Sequence, residues 1–206
     1  AGGARRRGRV PASLEAAAAI AASAAPLLLL SLVWACTRTC FHTYYPLMIV
    51  RRYSLPLVQT GALLTSMSLV VTAVQVGGFE PCRQRFGLHG TLALGGALVG
   101  LGLVGLGALP AVTPLPLFLA LSSLYALGTA LLAPAVPALL VKAAPPERCG
   151  TLLGVESAIV NVGRIVAPPL FGLVHCASQA SGVATLLATA VVWRVAERRR
   201  RRRAGA

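Results

Sequence analysis

The stretch LPLFLALSSLYALGTALLAPAVPALLV, residues 115–141, runs for 27 residues without a charged side chain. A helix that crosses a bilayer needs about 20 predominantly apolar residues, so this stretch is long enough to span a membrane. The whole chain of 206 residues has the same character, because 56% of its residues are hydrophobic and only 12% are charged. Soluble domains carry about 25% charged residues. The composition therefore excludes a water-soluble globule and predicts an integral membrane protein.

Five further apolar stretches of spanning length are bounded by charged residues or by Pro and Gly. Together the six predicted spans are Pro26 to Val50, Leu57 to Phe79, Thr91 to Leu109, Leu115 to Val141, Thr151 to Cys176 and Ala177 to Val195. The sequence thus predicts an all-α polytopic membrane protein with six transmembrane helices over residues 26–195. We assign residues 1–25 to a basic, alanine-rich cytoplasmic linker and residues 196–206 to an arginine-rich cytoplasmic tail.

The basic residues are distributed unevenly between the two sides of this arrangement. Of the 19 Lys and Arg residues, 15 fall on the side that holds both termini, and only Arg51 and Arg52 fall on the other. Cytoplasmic segments collect Lys and Arg, so both termini are predicted to be cytoplasmic. A net charge of +14 would suit a nucleic-acid-binding protein, but these residues lie between and beyond apolar stretches. We predict membrane lipid, not nucleic acid, as the partner of the run Arg198 to Arg203, with an interaction tail as the alternative.

The first predicted span carries polar residues at membrane depth. Trp34, Arg38, His42 and Tyr45 follow i, i+4, i+8 and i+11 and share one helical face, with Arg38 at the midpoint of the span. An arginine at the bilayer centre costs about 2.5 to 3.5 kcal/mol on insertion scales, so it should face a cavity or a partner. We predict that this face lines a solute pathway. The alternative is that Arg38 binds backbone carbonyls of a neighbouring helix and that His42 is a buried core histidine.

The fifth predicted span carries a second polar group. Arg164 lies near its midpoint, Asn161 precedes Arg164 by three residues, and Glu156 precedes it by eight. Eight helical residues correspond to roughly 12 Å along the axis and about 80° around it, so Glu156 and Arg164 share a face without pairing directly. We assign Asn161 and Arg164 to the pathway. Glu156 is the candidate for proton coupling, because a dehydrated carboxylate binds protons more readily; a solvated carboxylate near the interface is the alternative.

Three segments carry a family resemblance. They are QRFGLHG at residues 84–90, LGTALLAPAVPALL at residues 127–140 and PPERCGTLLGVESAIVNVGRIVAPPLFG at residues 145–172. In order and spacing they resemble the last six helices of major facilitator transporters, and the drug and tetracycline exporter-like branches are the most similar. Gln84, Arg85 and Gly87 match the position of the family's cytoplasmic gating loop, although Gln84 replaces the usual Asp.

The resemblance implies the C-terminal half of a secondary transporter that works by rocking two six-helix bundles around a midplane site. It also implies a small-molecule solute and a partner, the missing N-terminal six-helix half. The opening at Ala1 without a Met favours a piece of a longer protein. We expect transport of a small solute, with proton-coupled efflux as one form of it. The alternative is a six-helix scaffold or lipid-binding protein that transports nothing.

Other chemistry has little support in the sequence. The five cysteines form no CxxC pair, there is no Asp, and the three histidines lie in different parts of the chain. No nucleophile elbow, zinc-protease motif or phosphate loop is present. We therefore predict no enzymatic activity, no cofactor and no metal site.

Overall fold

The computed structural model describes residues 12–110, 112–172 and 177–204, and within them the chain forms helices and no strand. The helices are α1 (Ala12–Tyr53), α2 (Leu57–Gly77), α3 (Phe79–Ala108), α4 (Leu115–Ala143), α5 (Cys149–Gly172) and α6 (Ala177–Ala204), with a short 3₁₀ turn at Pro146–Arg148. All six α-helices contain a segment long and apolar enough to cross a membrane. This confirms the prediction of an all-α protein with six transmembrane helices.

Helices α1, α3 and α6 extend well beyond the predicted spans, and α6 continues past the predicted end at Val195 to Ala204. Helix α1 begins at Ala12 and passes through Pro26 and Pro46 without ending. Helix α3 begins at Phe79, although the third span was predicted from Thr91, because the connection before it is itself helical up to a break at Gly87. Gly87 has φ of +69°, a conformation that glycine adopts without steric cost. A short helical segment, residues 79–86, is therefore joined to the main part of α3 by a glycine.

Glycines bring α3, α4 and α6 into close contact. A Cβ built on Gly128 of α4 would lie 2.5 Å from the backbone nitrogen of Val99 on α3, and one on Gly102 would lie 2.8 Å from the backbone nitrogen of Tyr125. Gly96 and Gly100 of α3 face side chains of α6 instead. Close backbone approach of this kind is how small residues promote helix association in membranes.

Aromatic rings join α1 to α4. Phe41 of α1 stacks on Tyr125 of α4 at a centroid distance of 3.8 Å, and Tyr45 stacks on Phe118 at 5.4 Å. Phe41 and Tyr45 also stack on each other at 4.5 Å. We refer to these four residues as the aromatic stack. They form a continuous buried layer between the two helices, which extends over about one turn of α1 and about two turns of α4.

Helix α1 also contacts α5 and α6. The Cys36 thiol lies 3.7 Å from the carbonyl oxygen of Gly163, and the Tyr44 hydroxyl donates to the carbonyl oxygen of Pro168 at 3.4 Å. The second contact lies later in the sequence than the first on both helices, so α1 and α5 run in the same direction. The register places Arg164, the residue after Gly163, at nearly the same depth as Arg38.

Candidate functional site

The four pathway residues predicted on α1 differ in burial. Trp34 and Tyr45 are buried at 8% and 2% exposure, Arg38 is half-buried, and His42 is exposed. At 100° per residue, Tyr45, Arg38 and His42 lie about 20°, 40° and 80° around the helix from Trp34. Exposure rises in the same order. The predicted face therefore runs from the α1–α4 interface outward to the open side of the bundle, and Arg38 lies at its rim.

The Arg38 side chain forms a cation–π contact and no ion pair among the described residues. Its guanidinium lies over the ring of Trp34, 5.4 Å from the ring centroid. No described carboxylate pairs with it, and it donates no hydrogen bond to a described carbonyl. His42 contacts the edge of Phe41 with ring centroids 5.9 Å apart and is otherwise exposed.

The polar residues predicted on α5 lie on its uncovered side. Asn161 and Arg164 are exposed, and Glu156 is half-buried. Asn161 and Arg164, but not Glu156, belong to a row of small and polar residues with a 4-3-4-3 spacing, which we call the α5 stripe: Gly150, Gly154, Ser157, Asn161 and Arg164. All five are exposed, and the spacing keeps them within about 80° of one another around the helix.

Helix α2 carries a matching row that the sequence analysis missed. The α2 stripe has the same 4-3-4-3 spacing and consists of Gly61, Thr65, Ser68, Thr72 and Gln75. All five are exposed, and Thr60 is the only buried residue that α2 has among the described ones. The spacing that places these five residues on one face is visible in the sequence, although Gln59, Thr60 and Ser66 are polar residues elsewhere on α2. A search for charged residues at membrane depth does not find this row, because none of the five residues is charged.

Some polar side chains of the two stripes form hydrogen bonds within the chain, and others do not. On α2, Thr65 donates to the carbonyl oxygen of Gly61 at 2.9 Å, and Thr72 donates to that of Ser68 at 2.9 Å. Such bonds to the preceding turn let hydroxyls exist in an apolar environment. Gln75, Asn161 and Arg164 form no hydrogen bond with any described residue. These three side chains therefore require water, a solute or another protein surface.

The predicted gating loop is exposed and internally bonded. Glu80 binds Arg83 through the Nε–Oε2 contact of 2.7 Å, and Gln84 donates to the same carboxylate at 3.1 Å. The Arg85 guanidinium lies over Phe86 at 5.7 Å from the ring centroid. Gln84 occupies the position where the resembling family has Asp, yet Glu80, one turn earlier, supplies a carboxylate to this segment. That role of Glu80 was not predicted.

No group of His, Cys, Asp and Glu among the described residues is arranged to hold a metal ion. Cys36 and Cys40 are one turn apart on α1, and no described disulfide links them. Cys176 and His175 lie outside the described residues.

The family comparison agrees with this arrangement of helices. A family model described as Major Facilitator Superfamily matches residues 27–206. The chain belongs to the Major Facilitator Superfamily. Members of this superfamily are transporters and not enzymes, so the chain is an integral, multi-pass membrane transporter in contact with lipid and a solute. Comparison with curated proteins and with solved structures found no match.

Proposed function

We propose that this Major Facilitator Superfamily chain forms one six-helix half of a secondary transporter that moves a small solute across a membrane. The observation that supports it most is the pair of uncovered stripes on α2 and α5, which are matched in spacing and exposed. A second, N-terminal six-helix half would pack over these stripes and enclose the solute between the two bundles.

Arg164 gives an energetic reason why the exposed face of α5 should be covered. On insertion scales an arginine at the centre of a membrane helix costs about 2.5 to 3.5 kcal/mol when it faces lipid. Arg164 is exposed on α5 at the depth of Arg38, which is close to the midpoint of the apolar segment Ala24–Tyr53. Asn161 shares its stripe and has no described partner. The cost is avoided if this face meets a water-filled pathway or a protein surface.

In this proposal Arg38, His42, Asn161 and Arg164 contact the solute or its water, with Trp34 and Tyr45 behind them. Glu156, half-buried on α5, would carry the proton in a proton-coupled cycle. Gln84, Arg85 and Gly87 would form the cytoplasmic gating loop, since Gly87 permits a sharp change of direction next to α3. Both termini would lie in the cytoplasm, and residues 26–195 would form the membrane domain between the linker and the tail.

The transport proposal is tested by replacing Arg164. We expect Arg164→Lys, which keeps the charge and removes the planar fork of donors, to reduce uptake at equal surface expression. Arg164→Leu should insert more easily and be inactive. The measurement is uptake into vesicles that contain the full-length protein, with a solute first identified by screening a metabolite mixture. The matched control is Arg51→Lys, at the exposed end of α1.

If both Arg164 variants transport like the parent, Arg164 is a structural residue and the site assignment is wrong. If the full-length protein moves no solute of the screen while it is folded and inserted, the non-transporting scaffold becomes the better hypothesis.

The proposed orientation is tested with a maleimide that does not cross membranes. Cys82 and Cys149 should be unlabelled in intact cells and labelled after permeabilisation, because both lie on the predicted cytoplasmic side. The control is Val112→Cys, a site that is 93% exposed on the opposite predicted side, which should be labelled from outside. Labelling of Cys82 and Cys149 from outside would contradict the six-span orientation.

A further inference from the structure

The cationic side chain near the midpoint of the apolar segment Ala24–Tyr53 has no counter-ion among the described residues. All five acidic residues are glutamates, and there is no Asp. Glu80 is paired with Arg83, and Glu197 is paired with Arg201 at 3.2 Å. Glu147 is exposed in the turn before α5, and Glu15 precedes the apolar segment Ala24–Tyr53. Glu156 is therefore the one described carboxylate inside the bundle that has to be considered as a partner of Arg38.

The register of α1 against α5 excludes a direct pair between Glu156 and Arg38. Cys36 lies level with Gly163, and the two helices run in the same direction. Arg38 is two residues above this level and Glu156 is seven residues below it. At 1.5 Å per residue the two groups are separated by about 14 Å along the helix axes, far beyond the distance of an ion pair. The guanidinium is left as an isolated positive charge near mid-span.

The surroundings of Arg38 add unused polar groups. The indole N–H of Trp34 is buried and has no hydrogen-bond partner among the described residues, and the buried hydroxyls of Tyr125 and Thr129, one turn apart on α4, have none there beyond each other. Tyr125, at 3% exposure, lies within electrostatic range of Arg38 across the α1–α4 interface. Buried polar atoms are almost always paired in native proteins, so these groups have hydrogen-bonding capacity that the described residues leave unused.

The contact between Arg38 and Trp34 leaves the guanidinium ready to bind an anion. The guanidinium carbon lies 5.4 Å from the Trp34 ring centroid, and this cation–π contact leaves the N–H donors of Arg38 without a hydrogen bond to a described residue. Those donors match the two oxygens of a carboxylate, which arginine binds bidentately. A cation would be repelled at this position, and a neutral solute would leave the charge uncompensated.

We propose that Arg38, supported by Trp34 and Tyr125, forms an anion subsite and that the transported solute is a small organic anion, with a carboxylate as the best-fitting group. This assignment rests on the proposed function, because it names the class of solute for that same pathway. The competing source of a carboxylate is a fixed acidic side chain of the second six-helix half.

The test compares ligands that differ only in charge. Thermal unfolding of the detergent-solubilised full-length protein is measured with benzoate, benzylamine and benzyl alcohol, and with succinate and phosphate as further anions. At least one anion should raise the unfolding midpoint more than benzylamine and benzyl alcohol do. Arg38→Gln should lower the apparent affinity for that anion at least tenfold, and Arg38→Lys should retain part of it. Arg51→Gln, which also removes one positive charge from α1, should bind like the parent.

Three outcomes would overturn the anion subsite: stabilisation by benzylamine in preference to the anions, anion binding that survives in Arg38→Gln, or no stabilisation by any of the three anions. If Arg38→Gln lowers the thermal unfolding midpoint and no anion stabilises the parent, the partner of Arg38 is a fixed acidic side chain of the second six-helix half. If an anion binds through Arg38 but the vesicles take up no solute, the proposed transport function is wrong and the anion subsite is retained. If a cation is transported independently of Arg38, the subsite fails and transport stands.

Discussion

Two regions of this bundle use small residues for opposite purposes. In the core of α3, α4 and α6, glycines such as Gly128 meet the backbone of a neighbouring helix, and the contact is complete within the chain. On α2 and α5, glycines such as Gly61 and Gly154 have no atom within 4 Å of a built Cβ. The core glycines hold helices of this chain together. The exposed ones belong to stripes whose polar members need a surface that this chain does not supply, so the same residue type marks an inner contact in one region and an outer one in the other.

The difference between the core glycines and the exposed glycines is tested by adding one methyl group in each region. Gly128→Ala places a Cβ 2.5 Å from the backbone nitrogen of Val99, where no side chain can move aside. We expect the free energy of unfolding to fall by about 1 to 3 kcal/mol, as overpacking usually does. Gly154→Ala should leave stability unchanged or raise it by up to about 1 kcal/mol, because alanine favours helix. Denaturant unfolding in detergent measures both, and equal losses would contradict the distinction.

The second prediction concerns the function of the stripes. Asn161→Leu and Gln75→Leu should reduce solute uptake about tenfold, which corresponds to about 1.4 kcal/mol of barrier, while the unfolding midpoint stays the same. The reason is that neither side chain forms a hydrogen bond with a described residue, so folding of this half does not depend on it. The control is Val162→Leu on α5, which is apolar before and after the change. A loss of stability with unchanged uptake would show that the stripes serve the fold of this half.

The smallest effect is expected for the hydroxyl bridge between α1 and α6. Thr37 and Thr185 hydroxyl oxygens lie 3.0 Å apart, and Thr185 also donates to the carbonyl oxygen of Ser181 at 2.9 Å. Thr37→Val removes the bridge and leaves Thr185 satisfied. Interhelical hydrogen bonds in membrane proteins contribute about 0.6 kcal/mol on average, and we expect a loss of that size in unfolding free energy. Thr65→Val on the α2 stripe, which has an intrahelical bond only, should change stability less than Thr37→Val does.

The six spans could be predicted because bilayer thickness fixes the length of a membrane helix and charge marks its ends. Local chemistry did not settle which side of each helix is covered. Trp34 and His42 were predicted on one face, yet Trp34 is buried and His42 is exposed. Burial depends on contacts between helices, which a pattern along one helix does not contain.

The segment before Gly87 shows the same limit at a smaller scale. It was predicted as a loop between spans, and the structure makes residues 79–86 helical. The Glu80–Arg83 pair one turn apart supports that helix, but such pairs contribute only about 0.2 to 0.5 kcal/mol. A preference so small does not appear in a hydropathy pattern. The family match tests the whole bundle and leaves the candidate site residues as a proposal.

The glycine contacts of α3 have a consequence for how this sequence can diverge. Gly96 and Gly100 face the side chains of Thr189 and Leu186 on α6, so a larger residue at either position can be accommodated if its neighbour becomes smaller. Gly128 and Gly102 face backbone atoms, and backbone cannot be reduced by substitution. Among divergent relatives, positions 96 and 189, and positions 100 and 186, should therefore vary in pairs. Positions 102 and 128 should remain glycine wherever α3 and α4 keep this separation.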